Sequence, residues 1–477
     1  MTSTPKGRLG RLIASAGVVA LATLGAISIA GPASATDTTG PNIDKNVKGS
    51  VTIHKFEQPH PASGLPNNGT LVPQGDITAK GLKPIAGVVF SVTPVTGIDL
   101  TTNKGWEDAE KAAKALSQNG TLPGGLGTAT NLTATDANGV AVASQLSLGL
   151  YLVQEVSGPA NIVSPAAPFL VTVPLPNVGE KAGWNYDIHV YPKNAVASAP
   201  TKAVDDSKAY ALGDQVSWTV SATVPAFAAA SDLKSYVLTD TLDARLGYVS
   251  ATVSLGGTAL TSADVTISEA ANKVTATFTA SGLAKLAAAP GGSVTLVITT
   301  KVNEVGDGVI KNTAFVNING NEYKTNEVQT TWAKLNIVKK DSATKDALAG
   351  AVFEVYTSET GGTPLAFAPD SKTAFTTGAD GTVTIPGLKT GVTYWLQEKT
   401  APNGYYGIEK RIAVEITKTA GAQVEKVVEN TKIPAYALPL TGGDGALMFG
   451  IGGGALLLVA AGAAIMITRR RTAPVRA

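Results

Sequence analysis

Short runs of alternating apolar and polar residues recur along the chain, and a period of two predicts half-buried β-strands. In Val51-Thr52-Ile53-His54-Lys55 the alternation sets Val51, Ile53 and Lys55 on one inward face. Residues 87–92 predict a second strand, and residues 149–155 a third that ends on the carboxylate of Glu155. Between Trp184 and Asn194, parity turns Trp184, Tyr186, Ile188, Val190 and Asn194 inward and Lys193 outward. Pro192 has no N–H to give to a ladder, which predicts an edge strand or a strand end with Lys193 exposed at its tip. Helical spacing of Trp106, Ala109, Ala113 and Leu116 predicts one helix, residues 105–116, inserted on this first sandwich.

The pattern continues beyond a small-residue linker at 195–200. Residues 216–222 and 294–298 read as strands, and three polar residues fall at inward parity: Lys202, Asp240 and Asn312. A third region repeats the scheme. Leu335, Ile337 and Lys339 share a face, as do Tyr394, Leu396 and Glu398, and Asn430 follows Val428 on the last strand. The chain therefore divides into domains at 36–196, 197–331 and 332–436, with 1–35, 437–442 and 443–477 left as ends.

Composition supports all-β modules: Gly 51 and Pro 26 accompany many short Val- and Thr-rich runs. The net charge of +2 gives no basic surface for nucleic acid. His54, His60 and His189 are scattered and cysteine is absent, so no metal-ligand spacing exists and no metal or cofactor is expected. There is no Gly-x-Ser-x-Gly elbow, no HExxH and no cysteine nucleophile, which argues against a secreted hydrolase. At the N-terminus, Lys6, Arg8 and Arg11 precede an apolar run at 12–30 and the small residues Ala33-Ser34-Ala35, the layout of a cleaved signal peptide. At the C-terminus an apolar run at 446–467 meets Arg469, Arg470 and Arg471, which alone reads as a membrane anchor.

Burying a lone Lys, acid or Asn is expensive, but burying them together has a chemical use. Desolvation lowers the Lys pKa to give a neutral amine nucleophile and keeps the acid protonated. The acid then polarises the carboxamide and moves protons as ammonia leaves, and the product is a Lys–Asn isopeptide cross-link.

Three motifs carry a family resemblance. Leu438-Pro439-Leu440-Thr441-Gly442, followed by the apolar run and the arginines, resembles the LPxTG cell-wall sorting signal of Gram-positive surface proteins. The stretch from Trp184 to Val190-Tyr191-Pro192-Lys193-Asn194 resembles the pilin motif of sortase-assembled pili. Residues 394–405, Tyr-Trp-Leu-Gln-Glu-Lys-Thr-Ala-Pro-Asn-Gly-Tyr, resemble the E-box of CNA-B-type Ig-like modules, and residues 348–353 resemble their early strand. The chain is thus similar to the shaft pilins of actinobacterial fimbriae such as those of Actinomyces.

The resemblance implies an all-β fold of three tandem Ig-like, CNA-B-type β-sandwich domains in an elongated array. It implies a pilus-specific, class C-type sortase that cleaves after Thr441 and joins it to Lys193 of an identical subunit. It also implies attachment to a tip pilin and to peptidoglycan, only transient membrane contact before sorting, and a cell-surface, wall-anchored location serving adhesion. Lys339–Asn430 with Glu398 and Lys202–Asn312 with Asp240 are the implied internal cross-links. Tyr151-Leu-Val-Gln-Glu155 parallels the E-box without its Ala-Pro-x-Gly-Tyr tail, which leaves a Lys55–Asn194 bond with Glu155 open. A monomeric LPxTG-anchored adhesin stays the alternative, and no surface ligand is legible.

Overall fold

The computed structural model describes residues 41–177, 183–417 and 423–436. The expected signal peptide, the LPLTG motif and the apolar C-terminal run lie outside the described residues. Among the described residues no helix is long and apolar enough to cross a membrane.

The first domain is a sandwich. A three-stranded sheet, ordered Asp187–Val190, Gly49–His54, Val140–Leu146, faces a four-stranded sheet built on Val89–Val95 and Gly149–Ser157. Val51, Ile53, Phe90, Val153 and Ile188 fill the space between, as period-two alternation requires. The helix is longer than the periodicity predicts, Asn103–Asn119. Thr102 caps it by accepting the Gly105 N–H, and Gly120 ends it with a φ of 64°. Its Trp106, Ala109 and Leu116 cover Leu150 and Leu152 on the outer face of the larger sheet.

The run from Trp184 to Val196 departs from the single strand that alternation predicts. It forms three strands, Trp184–Asn185, Asp187–Val190 and Lys193–Val196, with the break at Pro192. Asp187–Val190 is indeed an edge, parallel to Gly49–His54. Lys193–Val196, however, is the central strand of a small sheet between Phe56–Glu57 and Ile162–Ser164. The outward face is not open either. Residues 59–84 fold over it and bury Tyr191 with Phe56, Leu65, Val72, Ile77 and Leu82 in a second small core. Lys193, expected to be exposed at an edge tip, is therefore half-buried. The expected linker at 195–200 is likewise structured, because Ala195 and Ala197 are buried and the strand runs to Val196.

The middle domain pairs two five-stranded sheets around Trp218, Val220, Tyr236 and Leu238. It also contains a helix, Ala280–Ala287, that the alternation does not reveal. The stretch around Asn312 is split: Val309–Asn312 belongs to one sheet and Ala314–Ile318 to another, with Asn312 at the corner. The third domain is organised by one long strand, Val328–Asp341. That strand pairs antiparallel with Val309–Asn312 of the middle domain and with Thr382–Lys389, and parallel with Gln423–Asn430. It runs through the 331/332 division without a break. Leu212 N–H donates to Gly387 O at 3.0 Å, and Tyr394 OH donates to Tyr210 O at 2.9 Å, so the two domains share packing and hydrogen bonds.

Candidate functional site: buried lysine, acid and asparagine clusters

In the third domain, eight register pairs hold Val328–Asp341 against Gln423–Asn430 and set Lys339 opposite Val428, two residues before Asn430. Lys339 Nζ donates to Asn430 Oδ1, and also to the Val428 carbonyl at 3.2 Å. Glu398 reaches in from the facing sheet. Both its oxygens accept from Asn430 Nδ2 at 3.0 Å, and Oε1 lies 3.5 Å from Lys339 Nζ. The side chains of Lys339 and Glu398 are fully buried. Burial pushes the lysine pKa down, and the Glu398 charge opposes this only in part. Two supports are not evident from parity: Ile408 N–H donates to Glu398 Oε2 at 2.9 Å, and Tyr405 OH donates to Asp341 Oδ2 at 2.8 Å. The Tyr at the end of the E-box could have signalled the second.

The first domain repeats this geometry. Asn194 and the Lys55 segment lie on parallel neighbours, and Lys55 Nζ donates to Asn194 Oδ1. Glu155 Oε1 accepts from Asn194 Nδ2 at 2.6 Å, and its Oε2 stands 2.9 Å from Lys55 Nζ. Burial takes the Lys55 pKa to about 8 against the pull of Glu155. The sequence departs from the E-box here, yet the three side chains converge as they do in the third domain.

In the middle domain the same residue types meet differently. Lys202 Nζ donates to Asp240 Oδ2, while Asp240 Oδ1 and both polar atoms of the Asn312 side chain have no hydrogen-bond partner. Asn312 is near enough to lower the Asp240 pKa slightly, but burial dominates and raises it. Burial lowers that of Lys202. The Trp218 ring lies 5.8 Å from Lys202 Nζ.

Lys193 stands next to Asn194 but faces the other way. Its Nζ donates to the Tyr191 carbonyl at 3.0 Å, and burial lowers its pKa. The histidines are not all scattered. Parallel pairing of Gly49–His54 with Asp187–Val190 brings His54 Nε2 within 2.9 Å of His189 Nδ1. Sequence spacing carries no sign of that pairing. Among the described residues no group of three or more His, Asp or Glu could hold a metal ion.

Three family models match in series: the N-terminal domain D1 of Gram-positive pilin subunits at 46–195, the cell surface antigen I/II C2 terminal domain at 192–332, and a prealbumin-like fold domain at 333–432. The chain is 35% identical to the fimbrial subunit type 2 of Actinomyces naeslundii, covering 92% of each. It is 28% identical to the fimbrial subunit type 1 of Actinomyces viscosus over 92% of this chain and 94% of that one. The full-length major pilin SpaD of Corynebacterium diphtheriae superposes with a TM-score of 0.69 at 32% identity, covering 83% of this chain and 99% of that one. With three consecutive pilin-type sandwiches, three buried Lys-centred clusters and this extent of similarity, the chain belongs to the fimbrial subunits of Gram-positive bacteria, the structural proteins of the pilus shaft.

Proposed function

We propose that a class C-type sortase joins Thr441 of one subunit to Lys193 of the next, building a covalent head-to-tail shaft whose domains are locked by internal isopeptide bonds. The observation that carries the acceptor assignment is the environment of Lys193. Its amine is partly desolvated, which lowers its pKa, and it makes no ion pair with a carboxylate among the described residues that would oppose this. The neutral amine attacks the Thr441 acyl carbon held as a thioester on the sortase cysteine. A C–N bond forms, the C–S bond breaks, and the proton leaves with the thiolate. Because the donor Thr441 follows the third domain and the acceptor Lys193 closes the first, the contact is heterologous and does not close. Tip pilin, peptidoglycan and a transient membrane tether complete the assembly at the cell surface.

The internal bonds follow from the clusters. Neutral Lys339 attacks Asn430 Cγ, Glu398 delivers a proton to the departing amide nitrogen, and ammonia leaves as the Lys–Asn amide forms. The carboxyl of Glu398 already lies against that nitrogen, which supports its role as the acid. Glu155 does the same for Lys55 and Asn194, and Asp240 for Lys202 and Asn312. The chain is a substrate and a single-turnover self-processor, not an enzyme with turnover.

The test is a denaturing gel of cell-wall extracts from wild type and Lys193→Ala. A wild-type ladder of high-mass species that collapses to monomer in the variant is expected. An unchanged ladder in the variant means that another lysine is the acceptor. Monomer in both strains means a wall-anchored adhesin that does not polymerise.

A further inference from the structure

We propose that Tyr191 is a positioning residue for the acceptor amine of Lys193, a role that rests on the acceptor reading above. Parity sends Tyr191 to the side opposite the main core, where a tyrosine ordinarily meets water. Here it is fixed at three points. Its ring stacks on His54, with centroids 4.8 Å apart and planes 11° apart, and lies near-parallel to Phe56 at 6.5 Å. Its hydroxyl accepts the Val72 N–H at 2.7 Å, which ties it to the segment folded over this face. His54 is itself held by His189 at 2.9 Å. The fourth contact is the one with chemical consequence: the Tyr191 carbonyl accepts the Lys193 amine at 3.0 Å.

A lysine amine on a four-carbon stem samples many positions, and each unproductive one slows attack. Pro192, with its restricted φ, couples the Tyr191 carbonyl to the Lys193 backbone. A ring locked at three points therefore fixes a carbonyl, and that carbonyl fixes one N–H of the amine. The nitrogen lone pair then points away from the carbonyl, available to the acyl carbon. The Tyr191 side chain touches neither the donor nor the enzyme in this scheme; it acts through Lys193.

The measurement uses the purified full-length chain with its sortase, following the two half-reactions separately. Hydroxylamine capture at Thr441 reports the donor half, and formation of the covalent dimer reports the acceptor half. Tyr191→Ala is expected to slow dimer formation at saturating subunit by about tenfold or more, since misplaced reacting groups lose rate in this range. Its hydroxylamine capture stays at the wild-type rate. Tyr191→Phe keeps the stack and restores dimer formation to within about threefold of wild type, as a positional rather than chemical role requires. His54→Ala, which leaves Tyr191 in place and removes its stacking partner, gives an intermediate slowing and guards against an unfolded Tyr191→Ala. Thermal midpoints are recorded for each variant. The proposal is overturned if a folded Tyr191→Ala and His54→Ala both dimerise at the wild-type rate, or if Phe falls as far as Ala. Wild-type speed in Lys193→Ala would instead sink the acceptor reading itself.

Discussion

The third and middle domains bury the same chemistry in two states of assembly. In the third, Lys339 and Asn430 sit on parallel neighbours in fixed register, and Glu398 spans the gap to hold the amide nitrogen with both oxygens. In the middle, the acid is Asp240, one methylene shorter, and its bonded oxygen goes to Lys202 while Asn312 keeps no partner. Asn312 also ends a four-residue strand where the chain changes sheets, so no long ladder sets its position. A buried amide left unsatisfied costs about 1–3 kcal/mol, which makes the middle arrangement the less favourable of the two. The comparison teaches that residue type and burial are not enough. The length of the acid and the register of the strands decide whether the three groups are poised.

The largest effect should come from Glu398→Ala. It leaves Lys339 buried without its acid and prevents the cross-link, and breaking a buried pair this way costs about 3–5 kcal/mol. Intact-mass analysis should find one ammonia more than in wild type, with a lower thermal midpoint. A variant that still loses that ammonia would remove Glu398 from the mechanism.

Replacing the two asparagines sharpens the contrast. Asn430→Leu should be destabilising, because it strips Lys339 and Glu398 of shared partners. Asn312→Leu removes a group whose polar atoms have no partners, so if no bond forms there it should be neutral or stabilising, within about 1 kcal/mol. If the Lys202–Asn312 bond does form, the same variant keeps an extra ammonia and loses stability. Mass and denaturant midpoints on one sample separate these outcomes.

The first domain adds to this contrast a pH response before cross-linking. Lys55 has a folded pKa of about 8 against an ordinary value of 10.5. Between these values the unfolded chain binds the proton that the folded chain refuses, so stability rises as pH rises from about 8 to 10.5 and is flat on either side. The gain is about 3 kcal/mol at most and should vanish once Lys55 is joined to Asn194. The rate of ammonia loss should climb through the same lower limit, as the neutral amine becomes the main form. Denaturant titrations across this range check the first statement, and time-resolved mass the second. A slope that persists in cross-linked protein would mean that another group titrates.

Much of the site was legible because period-two alternation states which side chains go inward. Lys55, Lys202, Lys339, Asp240, Glu398, Asn194, Asn312 and Asn430 all fall where parity puts them, and all are buried. Parity gave the right face for Tyr191 and Lys193 but not their exposure. Alternation names two faces but not what covers them, and here residues 59–84 cover the second face and half-bury Lys193. The His54–His189 contact was hidden for a related reason: parallel strands 135 residues apart in sequence leave no local spacing to read.

By itself, then, the sequence determined the all-β class, the three sandwiches, the inward lysines with their acids and asparagines, and the family. Each of these depends on local periodicity or a contiguous motif. Only the tertiary structure decided which clusters are poised. It closed the Glu155 cluster despite an incomplete E-box, left Asn312 without a partner, and placed the Lys193 amine on the Tyr191 carbonyl. Those outcomes depend on strand register, sheet switching and what folds over an outer face, which are long-range properties of packing that no local pattern encodes.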